Sequence, residues 1–152
     1  MKPRNLVESF NCAIEGFIYV LRTQKNMKIH MLLGLAVFLL GVMTGLDRAE
    51  MLILTLSILF VIFAEMLNTC VELTIDLITH TYHPLARVIK DISAGMVLLA
   101  SLNALVVGYL FFLKPLVTGH IKFGLEAMYS LSWHVTFACL LIVFALVIIL
   151  KL

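Results

Sequence analysis

Met51-Leu-Ile-Leu-Thr-Leu-Ser-Ile-Leu-Phe-Val-Ile-Phe-Ala-Glu65-Met-Leu-Asn68-Thr-Cys-Val-Glu72-Leu-Thr-Ile-Asp76-Leu-Ile78 begins as an apolar run and ends as a striped one. From Met51 to Ala64 there is no charged side chain. Steps of three and seven residues then set Glu65, Asn68 and Glu72 within about 60° of one another on a helix turning about 100° per residue. Asp76, eleven residues on from Glu65, falls on the same stripe. An ionised carboxylate near the middle of a bilayer helix costs roughly 2.5 to 3.5 kcal/mol on insertion scales. A stripe of three acids and an amide therefore calls for compensation, and divalent cations, water and a polar substrate at the membrane surface are the partners it points to.

The rest of the chain fits a membrane setting. Of its 152 residues 62% are hydrophobic and only 13% charged, and the mean hydropathy is +1.10. These values predict an all-α integral membrane bundle and exclude a soluble domain. The net charge of +2 is too small, and its cations too scattered, for nucleic acid. Cys12, Cys70 and Cys139 are far apart without a CxxC step, so neither a zinc site nor a disulfide framework is indicated. The first long apolar run starts only at Ile29, after a polar and charged segment, and the N-terminal segment is expected to stay in the mature protein.

Residues 5–22 place Leu6, Phe10, Ile14, Phe17, Ile18 and Leu21 on one face, with Glu8, Asn11, Glu15 and Arg22 largely opposite. That is an amphipathic interfacial helix. After the polar stretch 23–28, spans are expected at 29–46, at 51–79 with its polar end emerging from the bilayer, and at 92–113 after a short basic connection. A mixed linker at 114–132 leads to a fourth span at 133–150, with Tyr129 and Trp133 as interfacial aromatics. With the N-terminus inside, Lys2, Arg4, Arg22, Lys25, Lys28, Arg87, Lys90 and Lys151 fall on the cytoplasmic side and only Arg48, Lys114 and Lys122 outside. The stripe then faces the cytoplasmic nucleotide pool. Gly41 and Gly45, in a GxxxG step, and the small residues Ala100, Ala104 and Gly108 favour close helix approach, either within the chain or between copies.

The sequence Glu65-Met-Leu-Asn68-Thr-Cys-Val-Glu72-Leu-Thr-Ile-Asp76, then His83, then Lys90-Asp91-Ile-Ser-Ala94-Gly95, resembles the prokaryotic diacylglycerol kinase and undecaprenol kinase family over roughly residues 5–113. The resemblance implies a kinase domain at 1–113 that moves the γ-phosphoryl group of ATP to a lipid hydroxyl. It implies a homotrimer with composite sites in the bacterial cytoplasmic membrane, without a Walker loop. It further implies Glu65 as general base, Asn68 orienting or polarising beside it, Glu72 holding Mg2+ and Lys90 on the nucleotide phosphates. Asp76 and Asp91 would complete the nucleotide side, and Ala94 would lie near the lipid. Such a layout suits phosphoryl transfer, which needs chiefly positioning and neutralisation of phosphate charge. Glu65 lies about 10 Å deeper than Glu72 along the helix, as a base for a lipid-borne hydroxyl must.

Two departures stand out. Where family members usually carry a glutamate that helps bind metal, this chain has Gln24, a weaker, uncharged magnesium ligand; Glu8 or Glu15 could substitute. The tail after Leu113 extends beyond the compact members and reads as a peripheral membrane helix for packing or partner binding. Asn26-Met-Lys-Ile-His30 resembles the undecaprenol branch more than the diacylglycerol branch. Histidines 30, 120 and 134 have flanks that suggest interface placement, and His80 and His83 a helix end.

The same residues admit other readings. The stripe could be interhelical glue, a channel lining, or the remnant of an impaired scaffold of the same fold. A phosphatase acting on the same lipid phosphate is a further enzyme alternative. Acids clustered toward one leaflet, next to a Lys-Asp step, favour the kinase.

Overall fold

Each helix boundary has a local chemical cause. The computed structural model describes residues 5–113, and within them α1 spans Leu6–Thr23, α2 Lys25–Met43, α3 Arg48–Ile78 and α4 Pro84–Gly108, which passes into a π-helical turn at Tyr109–Leu113. At the start of α1, Glu8 accepts from the Asn5 backbone N–H at 3.2 Å. Asp47 caps α3 by accepting from the Glu50 N–H at 2.9 Å, while the Glu50 carboxylate accepts from the Asp47 N–H at 2.9 Å. Pro84 occupies the first turn of α4, where its fixed φ suits a helix and its missing N–H is no loss.

Between α2 and α3 the chain reverses in a tight turn. The Gly45 N–H donates to the Val42 carbonyl and the Leu46 N–H to the Gly41 carbonyl, both at 3.2 Å. This is a Schellman closure, and it requires the positive φ of 68° that Gly45 adopts. Gly41 meets Leu54, Met51 and Leu46 instead. The GxxxG step thus serves intrachain packing at one glycine and chain reversal at the other.

Two stretches read as connections are helical. Residues 25–28 form the first turn of α2, leaving Gln24 alone, at φ −95° and ψ 118°, as a one-residue joint after α1. Residues 85–91 form the first turns of α4. Charge by itself does not break a helix, and neither stretch contains an internal Gly or Pro. The third span accordingly begins earlier than hydropathy places it, and Lys90 and Asp91 stand on a rigid element.

The helices α2 and α3, and α4 together with its π turn, are long and apolar enough to cross a membrane. The fold is a helical membrane bundle with α3 central, packed most extensively against α4 and then against α2. At one end Phe38, Val42, Leu46, Met51 and Leu54 form a buried apolar cluster, and further along α3 Val61 and Ala64 pack with Ala100. Beyond them the buried positions turn polar, with Glu65, Asn68, Thr69 and Ser93. Outward faces carry Leu52, Phe60, Leu98 and Leu105, as lipid contact requires. On the apolar face of α1 Leu6 and Phe10 are exposed, while Ile18 is buried. The linker at 114–132 and the fourth span at 133–150 lie outside the described residues.

Candidate active site

Antiparallel packing fixes which residues share a level. A methyl group at Gly34 would lie 2.7 Å from Ile58 Cγ2, and one at Gly41 would lie 3.0 Å from Met51 Sδ. The same register places His30 level with Ile62, Met27 with Glu65, and Gln24 with Asn68. Met27 is fully buried, as is Glu65 at 2% exposure. On the other side of α3, Asn103 Nδ2 donates to Ser57 Oγ at 3.2 Å and Ser93 pairs with Asn68, which sets Glu65 near the level of Met96.

The centre of the site is a three-residue relay. Ser93 Oγ donates to Asn68 Oδ1 at 2.7 Å, and Asn68 Nδ2 donates to Glu72 Oε1 at 3.0 Å. A carboxylate only accepts, so the NH2 end of Asn68 must face Glu72 and its carbonyl must face Ser93. Ser93 Oγ also lies 2.8 Å from the Lys90 carbonyl, so its single proton has two acceptors, Asn68 Oδ1 and the Lys90 carbonyl. Thr69 satisfies its hydroxyl on the Glu65 carbonyl at 3.0 Å and makes no demand on the row.

Toward the exposed end, Lys90 Nζ donates to Asp76 Oδ1 at 2.6 Å, joining α3 to α4. Both side chains are partly exposed, so the ammonium remains accessible. Asp91 is turned elsewhere, 3.8 Å from Arg87 in a pair with both side chains well exposed. Ala94 is exposed, about 100° round α4 from Ser93. Gln24 is half-buried at its joint. Glu65, Asn68, Glu72, Asp76 and Lys90 thus form one depth-ordered row, with Gln24 near the Asn68 level, and Asp91 and Ala94 stand outside it.

Glu65 differs from its neighbours. Its Oε2 is buried and has no hydrogen-bond partner among the described residues. Such an atom is strongly disfavoured in an apolar layer unless another group completes it. Glu72 and Asp76, one turn apart, offer hard oxygen ligands, but among the described residues no three His, Cys, Asp or Glu side chains come together. That donor set fits a magnesium ion bridging one or two carboxylates to phosphates and water, rather than a caged resident ion.

Three participants were not read from the sequence as parts of the site. Ser93 sits inside the Lys90–Gly95 motif, three residues on from Lys90, and that spacing was the available signal. Met27 carried none beyond its place in a helical register. His30, expected at the interface, is half-buried and lines the space between α2, α3 and α4.

The sequence profile of prokaryotic diacylglycerol kinase matches residues 11–112. The chain is 38% identical to a diacylglycerol kinase of Synechocystis sp. over 115 residues, 75% of this chain and 66% of that protein. It is 37% identical to an undecaprenol kinase of Bacillus subtilis over 109 residues, 72% of this chain and 89% of that protein. With the helical membrane bundle already described, these matches establish that the chain belongs to the prokaryotic diacylglycerol kinase family of membrane lipid kinases.

Proposed function

We propose that the protein phosphorylates a lipid alcohol at the cytoplasmic membrane surface, using ATP and Mg2+, with undecaprenol as acceptor. The observation that carries this reading is the depth order on α3. A buried carboxylate with one unpartnered oxygen, Glu65, is followed outward by Asn68, Glu72 and the Asp76–Lys90 pair. In the reaction Glu65 takes the proton of the lipid hydroxyl, whose oxygen bonds to the γ-phosphorus as the bond to the β–γ bridging oxygen breaks and ADP leaves. Lys90 binds the phosphates, and Asn68, held by Ser93, keeps the Glu72 carboxylate aimed. Magnesium, when bound at Glu72 and on the Gln24 side, neutralises phosphate charge.

The choice of undecaprenol rests on Asn26-Met-Lys-Ile-His30. This stretch forms the start of α2, whose register sets Met27 level with Glu65. Diacylglycerol is the second reading, supported by the similarity to the Synechocystis enzyme. An impaired scaffold has Gln24 alone in its favour. Arg22, Lys25, Lys28, Arg87 and Lys90 gather at the end of the bundle that holds Asp76, which supports a cytoplasmic N-terminus. We assign residues 1–113 to the kinase domain and 133–150 to an added span, with copies assembled as a trimer.

Full-length protein in detergent, supplied with γ-labelled ATP, magnesium and either lipid, tests the reading. Labelled undecaprenyl phosphate is expected, and Glu65→Gln should lower its rate at least about 100-fold. Transfer to neither lipid, or undiminished transfer by the variant, would overturn it. Preferential labelling of diacylglycerol would reassign the acceptor alone.

A further inference from the structure

Asn103 of α4 is an amide on a surface that otherwise suits lipid. Its Nδ2 donates to Ser57 Oγ on α3 at 3.2 Å, and the residue is nonetheless exposed. Counted along the helices, the pair lies about 14 Å from Arg48 and about 20 Å from the level of Lys90, near the middle of a ~30 Å hydrocarbon layer. A primary amide has two N–H donors and a carbonyl oxygen, and Ser57 takes one of the donors. The second N–H and Oδ1 have no hydrogen-bond partner among the described residues. Hydrocarbon offers such atoms nothing, so the bundle calls for another polar group at this depth.

The residues around Asn103 form a seam. Ile92, Met96, Leu99, Asn103, Val106 and Leu110 follow one another at alternating steps of four and three, the 3.5-residue repeat that keeps one stripe against a neighbouring parallel helix. All six are exposed. The stripe runs about 100° round α4 from Ser93, Ala100 and Ala104, which pack toward α3. A second exposed ridge, through Leu98, Leu102 and Leu105, is aliphatic throughout. The amide therefore marks which of the two ridges another protein surface covers.

A second copy of the chain supplies what the amide lacks. Read as a span, residues 133–150 carry no amide, hydroxyl or charged side chain after Thr136, so that segment brings nothing to pair in the middle of the bilayer. A copy inserted in the same orientation brings its own Asn103 to the same depth. In a cyclic assembly each Nδ2 gives its second N–H to the Oδ1 of the next copy, and each Oδ1 accepts from the copy before. With Ser57 on the remaining hydrogen, both N–H groups and the carbonyl are satisfied, and the pairing fixes register as a single asparagine does in a coiled-coil seam.

We propose that the α4 stripe centred on Asn103 is the face on which copies of this chain meet, with their Asn103 amides hydrogen-bonded to one another in the membrane interior. The inference rests on the assembly of copies proposed above and names its surface; it is independent of the phosphoryl-transfer chemistry.

The full-length chain, with Cys12, Cys70 and Cys139 replaced by alanine, is given one new cysteine and oxidised in native membranes. Disulfide-linked pairs of copies are expected for Leu99→Cys and Val106→Cys on the stripe, and none for Leu98→Cys on the other ridge. No linkage at either stripe position, or equal linkage at Leu98→Cys, would overturn the proposal. Light scattering in detergent then compares variants of the wild-type chain. Ser57→Ala should stay assembled, whereas Asn103→Leu should raise the protein-to-detergent ratio for half assembly roughly tenfold. Unchanged assembly in Asn103→Leu, or equal loss in both variants, would overturn the proposal. If Asn103→Leu fails to fold, the cross-linking decides, because it keeps Asn103 intact. Wild-type protein that is monomeric in membranes removes the assembly reading together with this inference; assembled protein without linkage on the stripe removes this inference alone.

Discussion

Ser93 Oγ stands 2.7 Å from Asn68 Oδ1, with both residues buried, and so ties α4 to α3 at the level where the apolar core gives way to the polar row. Ser93→Ala removes the donor and leaves the Asn68 carbonyl buried without it, a cost of about 1 to 3 kcal/mol. We expect a lower thermal midpoint in detergent together with a several-fold loss of kcat, since Asn68 would no longer hold Glu72. Unchanged kcat at full occupancy by both substrates would show that the relay is not used.

The Lys90–Asp76 pair is partly open to water, so its two members should behave differently. Lys90→Ala removes the cation proposed to bind the phosphates and should raise KM for ATP about tenfold or more, with little effect on KM for the lipid. Asp76→Asn disrupts a pair whose contribution to stability is only ~0 to 1 kcal/mol, and its thermal midpoint should stay near wild type. Initial-rate measurements with each substrate varied, and a melting curve, check both.

Gln24 is the joint between α1 and α2, near the level of Asn68. Gln24→Glu adds a carboxylate at the position proposed for the metal, and the magnesium concentration for half-maximal rate should fall. A magnesium titration at fixed ATP reads this directly; an unchanged curve would remove the position from the metal site.

Close packing at Gly34 makes a stability prediction independent of chemistry. A methyl group there would meet Ile58 Cγ2 at 2.7 Å, and that branch is fixed at the β-carbon. Gly34→Ala should cost about 1 to 3 kcal/mol. Gly16, with nothing within 4 Å of a methyl group, provides the contrast, and Gly16→Ala should stabilise α1 by up to about 1 kcal/mol. Denaturation of the two variants side by side tests the pair.

The sequence carried much of this because period and polarity agree on α3. Glu65, Asn68, Glu72 and Asp76 recur at helical spacing in an apolar run, and nothing but a helix puts them on one face. What sequence could not supply was register between helices. That Met27 is level with Glu65 and His30 with Ile62 follows only from the packing of Gly34 on Ile58, a contact 24 residues apart in the chain. Charge also misled at residues 25–28 and 85–91, where polar composition suggested loops and good helix formers prevailed. Asp91 was grouped with Lys90 by adjacency, yet one residue is about 100° of turn, and it points to Arg87 instead.

The turn at Gly45 reaches well beyond its own neighbourhood. From Leu46 to Glu65 is roughly 28 Å of helix, so the tight reversal sits near the opposite membrane face from the carboxylate it serves. Because α2 and α3 both start their count there, the glycine acts as the zero mark of a ruler. It fixes, from the far leaflet, how deep Glu65 lies beneath Met27 and which side of α2 meets it. An added residue in that reversal would spoil a reaction centre it never touches.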